Sequence, residues 1–315
     1  MDKKIIMIAA MSLSGLWGFV AMAHDNPSEL NKDQVPKAIA RELSADQEKA
    51  RMDYIIHSRK IRCSLVDGEM TTSYWEGSVF SRVEGEKDKL IFKIMGINNN
   101  RCVASKNDKD ELGFSSVSRE IMLYLDPVTG TVLRTWKNPW TNEEVEVLHV
   151  ANDPVNDKGD YGYTKTGEIN KIKFKQIPSD KNLMMSYEIP LYYPNPLAGD
   201  YQSYVGNHYH AIELFNYFVS KADLTSTANS IYPNFAWARV SQWLPWMNMG
   251  SRPGLLIFNT QGLKIKNFDE VPEPLKSTIL KEYPIYATAP PVTDSRPNET
   301  SWTVFKKYKE KKQKK

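Results

Sequence analysis

Several runs of this chain alternate apolar and polar residues with a period close to two, and such alternation belongs to strands whose two faces meet different surroundings. Met70 to Val83 carries Tyr74, Trp75, Val79 and Phe80, Lys89 to Ile97 carries Leu90, Phe92, Ile94 and Gly96, and Val117 to Leu125 follows. Asp67-Gly68, Glu84-Gly85-Glu86 and Asp126-Pro127-Val128-Thr129-Gly130 supply turn residues between strands. Val132 to Trp136 and Glu144 to Val150 continue the pattern, the second with Val145, Val147 and His149 on one face. Strands at this spacing predict an antiparallel meander.

The second half reads in the same way. Ile169 to Ile177 pairs with Leu183 to Ile189, and Pro190 to Gly199 is a proline-rich loop. Tyr209 to Val219 suits a strand or a helix, and its aromatic and β-branched content favours the strand. Phe235 to Leu244 is a strand, and Leu255–Phe258 and Leu263–Phe268 form two more, joined at Gln261-Gly262. Two helices frame the strands. Ser44 with Gln47 makes a capping box for one that ends near His57-Ser58, after which Lys60 to Val66 reads as a strand. Pro272 and Pro274 start the other, which buries Leu275, Ile279 and Leu280. The expected fold is mainly β: an antiparallel meander closing into a calycin-like barrel or a sandwich, with a short N-terminal and a C-terminal helix.

Residues 1–23 have the three parts of a secretory signal: Lys3-Lys4, an apolar run from Ile5 to Val20, and Ala21-Met22-Ala23 before His24. No later apolar run is long enough to span a membrane. The expected layout is a signal over 1–23, a flexible leader over 24–43, one β-rich domain over 44–305 and a basic disordered tail over 306–315, in a periplasmic or secreted protein. Losing the signal removes Lys3, Lys4 and Asp2 and leaves 39 basic against 37 acidic residues. Seven lysines crowd Lys306 to Lys315, so the body before them is slightly acidic. That balance argues against nucleic-acid binding. Cys63 and Cys102 are the two cysteines. They stand either as a disulfide, suited to an oxidising compartment, or as two buried thiols.

Longer strings resemble a known family. They include Ser118-Arg119-Glu120-Ile121-Met122, Trp136-Lys137-Asn138-Pro139-Trp140-Thr141, His149-Val150-Ala151-Asn152-Asp153-Pro154-Val155, Tyr193-Pro194-Asn195-Pro196-Leu197, Trp243-Leu244-Pro245-Trp246-Met247 and Arg296-Pro297-Asn298-Glu299-Thr300-Ser301-Trp302. With these the chain resembles the uncharacterised bacterial family catalogued as domain of unknown function 1838, from about Tyr54 to Lys307. The resemblance implies a single domain, often exported, and supplies no catalytic residue or cofactor.

Candidate chemistry falls into two groups. His208 and His210 share a strand face and can hold one metal ion with a third ligand such as His149 or Asp153, or act in catalysis with Glu213. His149 can serve as a base oriented by Asp153, although Asp153-Pro154 also suits a plain turn. Arg119 and Arg239 interrupt apolar strands and can receive an anionic group. Trp136, Tyr193, Trp243 and Trp246 can line an apolar pocket, or fill a barrel end by themselves. The chain lacks a phosphate-binding glycine loop, Gly-x-Ser-x-Gly, Cys-x-x-Cys and His-Glu-x-x-His. The leading expectation is an exported β-barrel protein that binds a small hydrophobic or aromatic molecule. The alternative is a cofactor-free or metal-assisted hydrolase or isomerase using His149, His208 and His210 with Asp153 or Glu213.

Overall fold

The computed structural model describes residues 43–164, 166–170, 174–176, 182–197 and 201–314. The expected signal and the leader up to residue 42 lie outside them, as does part of the expected strand at 169–177. Helix α1 (Ala45–Arg62) begins at the predicted capping box, where Ser44 Oγ accepts from the Gln47 amide at 3.2 Å and Gln47 Oε1 from the Ser44 amide at 3.0 Å. It does not stop at Ser58. The segment expected as a strand from Lys60 instead completes the last turn, because its polar heads find buried carbonyls there. Lys60 Nζ donates to the carbonyls of Leu224 (3.2 Å) and Ser226 (2.5 Å). Lys264 Nζ donates to the Lys60 carbonyl at 3.0 Å and also to that of Cys63, satisfying carbonyls at the end of the helix. Cys63, next in the chain, forms a disulfide with Cys102. The chain-entropy argument gives a loop of 39 residues a stabilisation of about 4 kcal/mol.

One antiparallel sheet holds most of the strands. They are β1 (Met70–Arg82), β2 (Lys89–Lys106), β3 (Leu112–Leu125), β6 (Val150–Asn152), β7 (Asp157–Asp160), β8 (Phe174–Gln176), β9 (Asn182–Pro194), β10 (His208–Ser220), β11 (Asn234–Ser241) and β12 (Leu255–Ile265). A hairpin of β4 (Thr135–Lys137) and β5 (Glu144–Glu146) stands apart. The order across the sheet is β6-β3-β2-β1-β12-β11-β10-β9-β8, with β7 also on β3. The sheet curls into a half-barrel, the mainly β antiparallel architecture that the alternation predicts. Tyr209 to Val219 lies within β10, the strand reading. Much of the loop expected from Pro190 is strand as well. Pro190 pairs with Ile212 of β10 while its other side extends beyond the short β8, where a missing N–H is tolerated.

The two strands expected on either side of Gln261-Gly262 are one, β12. Gly262 makes no turn. A Cβ there would lie 2.4 Å from the Phe235 ring and 2.5 Å from the Tyr74 carbonyl oxygen, so the glycine permits a close approach inside the sheet. Helix α2 (Lys221–Thr225) follows β10, and α3 (Leu275–Glu282) follows β12. Leu275 and Ile279 of α3 pack with Val271, Tyr286 and Ile265 over Tyr74, Ile97, Ile121 and Leu123, covering the convex side of β1, β2 and β3. Leu280, expected in that contact, is exposed.

Helix α4 (Ser301–Gln313) corrects the expected disordered tail. Thr300 and Thr303 cap it reciprocally, Trp302 and Phe305 are buried, and Lys312 Nζ meets Glu146 at 2.7 Å. Residues 306–313 are thus the outer turns of a helix anchored by its first two. Among the described residues no helix is long and apolar enough to cross a membrane.

Candidate functional site: a cavity on the concave face

Alternate residues of the long strands point into the hollow of the half-barrel. At one end that hollow is filled. Phe92 and Tyr124 meet Trp136 of the β4–β5 hairpin and Trp246 of the segment after β11, with ring centroids 5.2 Å (Phe92–Trp136) and 5.4 Å (Tyr124–Trp246) apart, and Trp140 meets Trp243 at 5.4 Å. Trp243 is wholly buried, and its indole N–H donates to the Arg252 carbonyl at 2.9 Å. These tryptophans form a plug.

Beyond the plug the same face opens into a cavity of about 310 Å³. One wall is aromatic: Trp75, Tyr187, Phe215, Tyr217, Phe235 and Trp237. Tyr187 stacks on Phe215 with centroids 5.0 Å apart, and Trp75 meets Trp237 edge-on at 6.1 Å. Gly96 makes room for the Trp75 ring, since a Cβ there would stand 2.6 Å from it. The other wall is polar, with Asn98 and Asn100 of β2 and Ser116, Ser118 and Glu120 of β3.

Charged groups sit at both margins. Arg62, at the end of α1, pairs with Asp157 at 2.9 Å. Arg239 Nη1 donates to Glu213 at 3.1 Å and its Nη2 to the Tyr209 hydroxyl at 3.1 Å. Burial opposes the charge on Arg239, but Tyr209 and Glu213 outweigh it and its pKa is raised. Glu120 accepts from Asn152 Nδ2 at 2.7 Å. Burial raises its pKa, and the charge of Glu213 raises it further, against the Asn152 hydrogen bond and Arg239. Trp75 Nε1, Trp237 Nε1 and Arg239 Nε are shielded donors without a hydrogen-bond partner among the described residues.

The residues singled out from the sequence are distributed differently from expectation. Arg239 and Glu213 line the cavity. Trp136, Trp243 and Trp246 belong to the plug. Tyr193 packs against Tyr209, 5.2 Å between centroids, outside the cavity lining. Arg119 points to the other face of β3, where it stands 3.0 Å from Asp153 and donates to the Ile285 carbonyl at 2.6 Å. Asp153 also holds Arg296 at 2.9 Å, so it orients arginines and not His149.

The histidines do not converge. His149 is buried beside Tyr124, accepts from the Tyr124 amide through Nδ1 at 3.1 Å, and has its pKa pushed down to about 4 by burial and then by Arg134. His208 and His210 flank the exposed Tyr192 ring at 4.7 and 4.6 Å, on the face of β10 opposite Glu213. An aromatic ring between two imidazoles keeps them from a common ion. Among the described residues no three His, Cys, Asp or Glu side chains are placed to hold a metal.

Sequence reasoning passed over Glu120, Asn98, Asn100, Ser116 and Ser118 as site residues. The signal was there: polar side chains at period two in mid-strand, opposite Val117, Ile121 and Leu123, imply a polar interior face.

The model of a family described as proteins of unknown function, DUF1838, matches residues 68–309. The chain belongs to DUF1838. The match covers every strand, and all the cavity-lining residues except Arg62 fall inside it. No curated protein matches this DUF1838 chain.

Proposed function

We propose that this protein binds a small, planar, largely apolar molecule with a polar group in the cavity of its half-barrel. The observation that carries the reading is the two-sided wall. A hollow of about 310 Å³ is within the range of small-ligand sites, which pair apolar contact with a few placed polar groups. Trp75, Phe215 and Trp237 offer ring faces, while Asn98, Asn100 and Glu120 offer hydrogen bonds on the opposite side. A planar ring fits between them, with its substituent toward β2 and β3.

We further propose that the protein works outside the cytoplasm. The signal-like residues 1–23 support this, and so does the Cys63–Cys102 disulfide.

The test is tryptophan fluorescence of the purified protein titrated with 2-naphthol and related bicyclic aromatics, with native mass spectrometry alongside. Saturable quenching with one-to-one binding, weakened in Trp237→Leu, is expected. A panel in which no ring compound binds would overturn the reading. For export, envelope or culture-fluid protein should begin at His24, and retention of Met1 in the cytoplasm would count against it.

A further inference from the structure

We propose that Glu120 and Glu213 act as a proton-transfer pair in this cavity, on a planar carbonyl compound with a hydrogen on the carbon beside the carbonyl. The inference rests on the cavity being a ligand site. β3 and β10 are well separated in the sheet order, with β2, β1, β12 and β11 between them, so only the curl brings Glu120 and Glu213 onto one cavity.

Each carboxyl group is fixed from a neighbouring strand. Asn152, the register partner of Glu120 in β6, holds one Glu120 oxygen at 2.7 Å. Arg239, the register partner of Glu213 in β11, holds one Glu213 oxygen at 3.1 Å and is itself tied to Tyr209. The second oxygen of each has no hydrogen-bond partner among the described residues and is left for a ligand. Their surroundings also differ in kind. Glu213 is ion-paired, whereas Glu120 has only a neutral amide, and burial and the Glu213 charge favour its protonated form. A carboxyl group biased toward its protonated form beside an ion-paired carboxylate is the kind of pairing that acid–base catalysis uses.

The step balances without a co-reactant. The Glu213 carboxylate removes the hydrogen as a proton, and the C–H electron pair becomes a carbon–carbon double bond. The carbonyl π pair moves to oxygen, which takes the proton of Glu120. The products are the enol, a Glu213 carboxyl and a Glu120 carboxylate. The cavity keeps its total charge, so no additional buried ion is created. Return of a proton to carbon, the same or a conjugated one, restores a carbonyl compound. The rings of Phe215 and Tyr217 beside Glu213 suit a conjugated substrate held flat.

The experiment follows 2-tetralone in deuterium oxide by proton NMR, with binding read separately from tryptophan fluorescence. Exchange of the hydrogens beside the carbonyl is expected to run above the buffer rate. Glu213→Gln should remove the acceleration and Glu120→Gln should reduce it about 100-fold, both compared at saturating 2-tetralone so that any change in affinity is read separately. Glu213→Asp, which keeps the charge, should retain part of it and separates loss of the base from loss of the fold. Bound 2-tetralone exchanging at the buffer rate would overturn the proposal and leave the cavity reading standing. Failure of 2-tetralone to bind where 2-naphthol does would overturn it too. Failure of every ring compound to bind would instead remove the cavity reading itself.

Discussion

The plug and the cavity are two stretches of one concave face, and both are rich in aromatic rings. At the plug, Trp136 of the separate β4–β5 hairpin and Trp243 and Trp246 of the segment after β11 fill the space over Phe92 and Tyr124. At the cavity the rings of Trp75, Phe215 and Trp237 belong to the strands, and Asn98, Asn100 and Glu120 face them instead of more apolar groups. Aromatic content alone therefore does not mark a binding site. What distinguishes the cavity is that polar side chains occupy strand positions whose apolar counterparts would have completed the core.

Truncating one ring in each region separates the two most clearly. Trp243→Ala should cost about 3–5 kcal/mol, since it empties a wholly buried site. Phe215→Ala, at a partly exposed cavity wall, should cost about 1–2 kcal/mol on area grounds and should weaken ligand binding more than stability. Urea denaturation of both variants checks the order. Equal losses would mean that the cavity is packed as tightly as the plug.

A second contrast concerns pH. His149 stacks near the plug with its pKa pushed down to about 4 from an ordinary value near 6.5. The unfolded chain then binds the proton more readily, so stability should fall as pH drops from about 6.5 to 4, by about 3 kcal/mol at most. Glu120 has the opposite sign. Its raised pKa makes the folded state the better proton binder, so its contribution is full below about 4.5 and declines as pH rises through its folded value. Stability curves of His149→Gln and Glu120→Gln should each lose one of these slopes.

A third substitution reaches the cavity without touching a polar group. Gly96→Ala would place a methyl 2.6 Å from the Trp75 ring and push the indole into the hollow. A stability loss of about 1–3 kcal/mol is expected, with ligand affinity falling further. The smallest effect should come from the exposed surface. Lys49→Ala removes a pairing with Asp53 in which both side chains are largely exposed, and should change stability by under about 1 kcal/mol, with no effect on binding.

Much of the architecture was legible from the chain. The strands at β1, β2 and β3 follow from alternation, and the start of α1 from Ser44 and Gln47. The end of α1 was not, because Ile61, Cys63 and Leu65 alternate as a strand would, and only distant carbonyls show why Lys60 is helical. The helical turns after Lys306 were hidden by a charge run whose anchors, Trp302 and Phe305, lie before it. Arg239 and Glu213 were visible as charges within apolar strands. Glu120 was equally visible, but its place opposite Glu213 depends on sheet curl, which residue spacing does not encode. Whether a tryptophan lines a pocket or fills it depends on which segment covers it, a matter of tertiary packing.

The central proposal is that the hollow, and not the plug, is a ligand site. The most direct measurement is a nitrogen–proton correlation spectrum of the tryptophan indoles during titration with 2-naphthol. The signals of Trp75 and Trp237 should move and saturate together, while those of Trp136, Trp243 and Trp246 stay nearly still. Movement centred on the plug, or no movement in either set, would contradict it.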